Sequence, residues 1–527
     1  MVLVCGLGQA EGKPRMEGYA AGELAASADA VAPGTGALVG ELLGMVGGLT
    51  GPQATGLSFD EIEQQIMVRG RELLRLVTQH VMDARAAGEP RLAQVTGADG
   101  VPRTRAERGH ARTVVTWFGP VVIRRMAYRA PGAANLHPAD VALNLPVRRY
   151  SWQVQQAAVR YALAGSYEQA QLWLQDLTGV SVGTQQLEQI LTEAARDAPG
   201  FYPSRPAAAV PAGLPLAISA DGKGVAMRPE ARRAETARKA RHRAPQAFGN
   251  RLGTGQKAGQ KRIAETGAVF DVEPPDEPRA PEQILGRARG QPAPPGPEAI
   301  NRWYTVDITA SRAQTIAAVS GQAERRDPGH ARPWIALVDG DRHQIEVICD
   351  QAAERGITIT ILVDFIHVLE YLRKAAWCFC PPRDPAAEDW VTAQGLAILH
   401  GRAAEVISRI QALAATHPPR PGSEHDKIIR STLTYLDAKQ PYLDYPRALA
   451  AGWPIATGAI EGACRHLVQD RMGITGARWG LPGAQAMLWL RAIRANGDLP
   501  AYWAWHIIQE HQRNHLSRYH DSLGLAA

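Results

Sequence analysis

Three strand-like apolar runs in this chain each stop on an aspartate. Residues 214–220 (LPLAISA) end on Asp221, residues 334–338 (WIALV) on Asp339 and residues 357–363 (ITITILV) on Asp364, with His367 one turn on. A fourth acid, Glu461, lies in ATGAIEGACRHL. Carboxylates offer only oxygen ligands, the donors that hard cations such as Mg²⁺ prefer. Ligands of open α/β sheets bind just past the carboxyl ends of the strands, where these aspartates fall. Each acid alone also has a plainer reading. Asp339-Gly340 can be a turn, Asp364 a helix N-cap, and Glu461 the surface partner of Arg465 one turn later. His367, on an apolar stretch, can be a satisfied core histidine. Three acids in one setting favour convergence on an ion.

The elements that must position them follow from periodicity. The runs at 334–338 and 357–363 flank a helical pattern at 343–355 with Ile345, Val347, Ile348 and Ala352 as its apolar positions, which predicts a βαβ unit. Upstream lie strands at 264–272 and 303–308 and a helix at 312–323. The order is strand, strand, strand, helix, strand, helix, strand, a mixed α/β sheet. Beyond 371 the pattern is helical to about 449, in pieces at 389–400, 402–415 and 424–436. A helix from 457 then carries Glu461, with Ile460, Ala463, Leu467 and Val468 on one face. A last helix, 483–495, packs through Met487, Leu488, Leu490 and Ile493.

The N-terminal third reads differently. Residues 1–57 are rich in Gly and Ala without a sustained period and predict a disordered tail. Ser58 and Glu61 form a capping box ahead of an amphipathic helix to about 87. Residues 113–118 and 121–128 flank Gly119-Pro120 as a β-hairpin, and its basic Arg124, Arg125 and Arg129 either touch DNA or line a solvated strand face. Two short helices, 166–177 and 182–195, joined at Thr178-Gly179-Val180, read as a helix-turn-helix or as an ordinary helical hairpin. A Pro/Ala-rich linker spans 203–213. The segments are therefore 1–57, 58–135, 136–200, 212–374 with a basic and Pro-rich insertion at 228–300, a helical insertion at 375–455, 456–497, and a tail at 498–527.

Composition fits a globular protein of several domains: 527 residues, 45% hydrophobic and 21% charged. No apolar run reaches the ~20 residues that span a bilayer, and the first residues lack the pattern of a secretory leader. Five cysteines make no disulfide framework, and Cys378-x-Cys380 lacks the second pair of a zinc site. These points predict a cytoplasmic protein. Net charge is only +6, yet residues 228–262 hold eleven Lys/Arg against two Glu. Such a block suits a phosphate backbone or a disordered segment.

The element order and the motifs ISADGKGVAM, WIALVDGDRHQ, ILVDFIHVLEYLRKAAW and ATGAIEGACRHL resemble bacterial insertion-sequence transposases of the ISKra type. These are similar to the Mutator-like and hAT-like branch of the DDE transposases, and the likeness covers about residues 60–497. It implies an RNase H-like mixed sheet interrupted by a large all-α insertion and preceded by a helix, β-hairpin and helix-turn-helix region. It also implies that Asp221 and Glu461 are the first and last catalytic acids. Asp339 matches the second, with Asp364 and His367 as an accessory pair; the roles of Asp339 and Asp364 are interchangeable at this level. The implied chemistry is DNA strand cleavage and strand transfer with two Mg²⁺ ions, Mn²⁺ being a substitute. The implied partners are double-stranded DNA, as terminal inverted repeats and target, and further copies of the chain in a homodimer or larger homo-oligomer. Around the acids, Lys223, Arg465, His466, Arg471 and Arg478 are expected as a cluster to hold phosphates, each alone also reading as surface charge, and Trp479 either stacks on an unpaired base or simply packs, with Arg124 and Arg125 as further DNA contacts.

Overall fold

A computed structural model of the chain describes residues 35–206, 213–241, 261–285, 294–381, 384–474 and 476–520. Among them no helix is long and apolar enough to cross a membrane. The chain divides into two units, one of residues 1–158, 171–182 and 507–527 and one of residues 159–170 and 183–506.

In the first unit, the helix Phe59–Ala87 starts on the Ser58–Glu61 capping box, with Glu61 N donating to Ser58 Oγ and Ser58 N to Glu61 Oε2. The expected disordered tail lies outside the described residues up to 34, but residues Thr35–Thr50 form a helix despite their glycines. This helix lies along Phe59–Ala87, where Thr35 Oγ1 comes within 3.4 Å of His80 Nε2; contact with a neighbour offsets the low helix propensity of Gly.

Strands Val95–Thr96 (β1) and Pro102–Arg103 (β2) form a small ladder. The hairpin is longer than the alternating pattern suggests, pairing Arg105–Thr116 (β3) with Gly119–Arg129 (β4). Gln79 of the long helix binds its edge, accepting from Val122 N at 2.7 Å and donating to Val122 O at 2.8 Å. Val114, Val121, Ile123 and Leu145 form one core cluster and Val95, Met126, Tyr128 and Leu136 another.

The second unit is built on a five-stranded mixed sheet of Leu216–Ala226 (β5), Lys261–Glu273 (β6), Glu298–Asp307 (β7), Trp334–Val338 (β8) and Ile359–Val363 (β9), in the order β7-β6-β5-β8-β9. β6 is antiparallel to both β7 and β5, while β8 is parallel to both β5 and β9. Strands β8 and β9 are almost wholly apolar because a parallel sheet is covered on both faces. Helices Arg312–Arg326 and Arg342–Arg355 supply cover and crossover. The second ends on Gly356 at φ +66°, a left-handed cap that suits glycine.

After β9 the helix Phe365–Phe379 leads into the helices Pro385–Leu399, Ala403–Thr416, Glu424–Lys439 and Tyr445–Ala450. The chain then returns to the sheet, where Phe365 N donates to Ile455 O at 2.9 Å. Glu461 follows in the helix Gly458–Cys464, and Leu481–Ala495 packs on β7 and on Thr184–Ala194.

Two expectations need correction. Residues 498–520 are no tail, since Leu499–Asn514 is a helix that buries Tyr502 and Trp503. The basic insertion lies partly outside the described residues, at 242–260 and 286–293, but Ala234–Arg241 is helical.

Candidate active site

Register aligns the three aspartates. β8 and β9 pair as far as Val338 and Val363, so Asp339 and Asp364 are the next residues on adjacent strands. β5 pairs with β8 as far as Ser219 and Leu337, and continuing that register sets Asp221 level with Asp339. Asp221 does not end its strand, contrary to the reading of its apolar run. β5 continues to Ala226 on β6, and Asp221 stands where the β8 neighbour has left. Losing a neighbour on one side frees a strand edge, which opens the carboxylate without a turn.

The aspartates differ sharply in surroundings. Asp221 is about a quarter exposed, and its Oδ2 lies 3.1 Å from Lys223 Nζ. Burial works against the Lys223 ammonium, yet the adjoining Asp221 carboxylate, with Glu461 adding to it, holds its pKa above the usual value. Asp339 is half-buried and its Oδ1 accepts from Asp341 N at 2.9 Å. The turn after it is tight. Gly340 sits at φ +93°, and a Cβ there would meet the Tyr435 hydroxyl at 2.9 Å. That hydroxyl donates to Asp339 O at 3.2 Å.

Asp364 is fully buried and heavily bonded. Its Oδ1 accepts from Ile366 N at 2.7 Å, capping the helix, and its Oδ2 from Thr457 N at 3.3 Å and from the Thr457 hydroxyl. Burial alone would raise its pKa, but His367, Thr457 and the two backbone donors outweigh it and hold the carboxyl below its usual value. His367 Nδ1 lies 3.7 Å from Asp364 Oδ2. Its pKa is raised by Asp364 first, against burial, with Glu370 and Asp339 contributing.

Thr457 also links this corner to the last acid, with its Oγ1 3.1 Å from Glu461 Oε1. Ligand atoms of Asp364, His367 and Glu461 lie within 4.8 Å of one another, close enough for one ion to bridge. Asp364 is nevertheless a poor ligand as it stands, because its oxygens are already taken by donors. Asp221, Asp339 and the exposed Glu461 have more open carboxylates. An all-oxygen donor set with Lys223 beside it fits a hard divalent cation better than a thiophilic one.

The helix bearing Glu461 widens into a π turn at Arg465–Gln469. Arg491 caps the carbonyls this frees, donating to Leu467 O at 2.9 Å and also to His466 O. Glu461 does not pair with Arg465; Arg465 and His466 both turn to Asp470, at 3.8 and 3.3 Å. Arg478 is exposed.

Two residues expected at DNA are interior. Arg471, 3% exposed, donates to Ala162 O at 2.9 Å and lies over the rings of Tyr167 and Trp479 at 5.1 and 4.9 Å. Trp479 is 6% exposed and extends β5 through Arg228 N to Trp479 O and Trp479 N to Ala226 O. A tryptophan so held offers no face to a base. In the first unit, Arg124 pairs with Asp83 at 2.9 Å, and Arg125 forms a largely buried pair with Asp140 at 2.8 Å. The two short helices, read as a helix-turn-helix or as a helical hairpin, are Tyr167–Thr178 and Thr184–Ala194, with Gly179 left-handed at φ +70° after the first. The second helix buries Leu187, Ile190, Leu191 and Ala194 and leaves Gln185 and Gln189 exposed.

No protein-family model matches this chain, and among curated proteins no match is found.

Several site residues escaped the sequence reading. Thr457 touches two acids. Cys464 is fully buried beside Asp221, and burial, then that carboxylate, push its thiol up to about 12. Glu265 faces Asp221's strand from β6 and holds Arg312 at 3.3 Å, which lies 3.6 Å from Asp341. Proximity of Arg312 to the DGD turn is a tertiary fact that local pattern does not carry.

Proposed function

We propose that the chain is a DNA transposase of the ISKra insertion-sequence type, working in the cytoplasm as a homo-oligomer on DNA. The reading rests on Asp221, Asp339 and Asp364 sharing one edge of the sheet, with Glu461 brought back to that edge by the Thr457–Asp364 contact. The strand order β7-β6-β5-β8-β9 supports an RNase H-like core, as does the helical insertion between Asp364 and Glu461.

In this reading Asp221, Asp339 and Glu461 hold the cations, and Lys223 steadies a phosphate beside them. Asp364 binds no ion. It anchors Thr457 and so fixes the start of the Glu461 helix, as outer-sphere partners orient ligands elsewhere. Bound Mg²⁺ would supply Lewis acidity at the scissile phosphate and favour ionisation of the attacking hydroxyl. A water hydroxyl attacks phosphorus and the bond to the 3′ oxygen breaks, releasing a 3′-hydroxyl. That hydroxyl then attacks a target phosphodiester, forming one P–O bond as another breaks.

The test is Mg²⁺-dependent cleavage and joining of labelled duplex carrying the element's ends, with Asp221→Asn as control. Joined product from the wild type alone supports the reading. Cleavage without joining would mark a nuclease. DNA binding with neither reaction would mark a binding protein whose acids are relics.

A further inference from the structure

A second basic pocket lies at the other end of the sheet. Along β5 and β6, Asp221 pairs with Thr266 and Leu216 with Asp271, a separation of about 17 Å at ~3.3 Å per residue. Beside Asp271, a cavity of about 430 Å³ is lined by Arg205, Arg302, Arg325 and Arg326 together with Trp303, against a single carboxylate, Asp498.

That carboxylate is already spent. Asp498 pairs with Arg205 at 2.6 Å and accepts from the Tyr202 hydroxyl at 3.0 Å. Arg325 donates to the carbonyls of Tyr202 and Arg205. Arg326 is more deeply set, its side chain 9% exposed, and its Nη1 stays 3.8 Å from Asp271 Oδ1, beyond hydrogen-bond reach. Among the described residues neither Arg326 Nη1 nor Trp303 Nε1, both buried, has a hydrogen-bond partner. Four guanidinium groups around one cavity, against a single carboxylate that is itself taken, leave an excess of positive charge that suits an anionic ligand.

The backbone is shaped for this. Opposite Phe270, β7 carries an extra residue between Ile300 and Trp303, a bulge with Asn301 left-handed at φ +48°. Bulges re-aim side chains, and Asn301 secures this one by donating to Asp271 Oδ2 at 2.8 Å. Arg302, at the bulge, lines both this cavity and a larger one of about 660 Å³ that also takes in Arg279 and His466, on the side of the Glu461 helix made by Ala459 and Gly462. Guanidinium forks match phosphate oxygens in pairs.

We propose that this pocket holds a backbone phosphate of bound DNA, with Arg326 as the deep anchor and Arg302 leading the strand along β7 toward the Glu461 helix. It rests on the transposase reading but is tested by binding rather than catalysis. Binding of the full chain to a labelled duplex is followed by fluorescence anisotropy over a range of salt, for wild type, Arg302→Gln and Arg326→Gln, with inorganic phosphate as competitor. Arg302 is exposed, so its variant keeps the fold, and melting curves check the other. Each variant is expected to weaken binding about three- to tenfold and to lower the salt slope by about one. Unchanged affinity and slope in Arg302→Gln overturn the site. So does a variant that loses affinity for phosphate alone, which would mark a site for the free ion. Wild-type chain that binds no DNA at all overturns the functional reading instead.

Discussion

Thr457 gives both its backbone N–H and its hydroxyl to the buried carboxylate of Asp364. These residues lie on opposite sides of the helical insertion, so the contact fixes where the last acid re-enters the sheet. A hydroxyl has one proton, and Asp364 takes it. Glu461 Oε1, 3.1 Å away, is left facing the same oxygen. Thr457→Val is therefore expected to cost about 1–3 kcal/mol of stability, the penalty for a buried acceptor that loses a donor. Cleavage should fall further than stability does, because the Glu461 helix loses its anchor. Denaturant melts alongside initial rates at saturating Mg²⁺ check this, and an unchanged rate would detach Thr457 from the site.

Asp339 and Asp364 should separate cleanly on substitution. Asp364→Ala strands the donors of Thr457 and Ile366, so a loss of about 2–3 kcal/mol is expected. Asp339→Ala removes one exchangeable bond to Asp341 N and should stay within about 1 kcal/mol of wild type. Calorimetric Mg²⁺ titration should show binding lost in Asp339→Ala and merely weakened in Asp364→Ala. The reverse ranking would make Asp364 the ligand.

The buried charge at the far end of the sheet gives a stability prediction. Arg332, 5% exposed, reaches the fully buried Asp271 at 2.6 Å and donates to Leu214 O at 2.6 Å. Arg332→Leu leaves Asp271 with Asn301 and a distant Arg326, and about 3–5 kcal/mol should be lost. Urea unfolding measures it.

The first unit should weaken in mild acid. Burial first, then the charges of Arg125 and His110, push His137 down to about 4 from an ordinary 6.5. Between those pH values the unfolded imidazole takes a proton that the folded one refuses, so stability falls as pH falls. The slope is at most about 1.4 kcal/mol per pH unit. Thermal melts from neutral to mildly acid pH should show it, and His137→Asn should flatten the profile.

The sheet was legible because its strands are continuous apolar runs broken by helical periods, and those patterns are local. The position of the three aspartates at one edge was legible for the same reason, each following such an apolar run. Partnership was not. Arg471 and Trp479 read as exposed ligands of DNA, yet they stack on each other and on Tyr167 inside the unit, because a loop of small residues folds back onto β5. Arg125 read as a free cation and is matched by Asp140, residues apart in sequence and on another element. The basic pocket draws on Arg205, Arg302 and Arg326 from three elements and leaves no spacing to read. Asn301 alone carried a hint, since asparagine accepts the left-handed backbone a bulge requires.

The hydrogen bond from Phe365 N to Ile455 O ties the mouth of the helical insertion to the sheet, and from within the insertion the hydroxyls of Tyr435 and Tyr445 bond Asp339 O and Val363 O. The polypeptide there is a loop whose mouth is tied shut, so the exposed connection at 417–423 can lengthen or be nicked while the carboxylate geometry stays put. A circularly permuted chain with its new ends opened between Ala403–Thr416 and Glu424–Lys439 should still assemble the edge that carries Asp221 and Asp339.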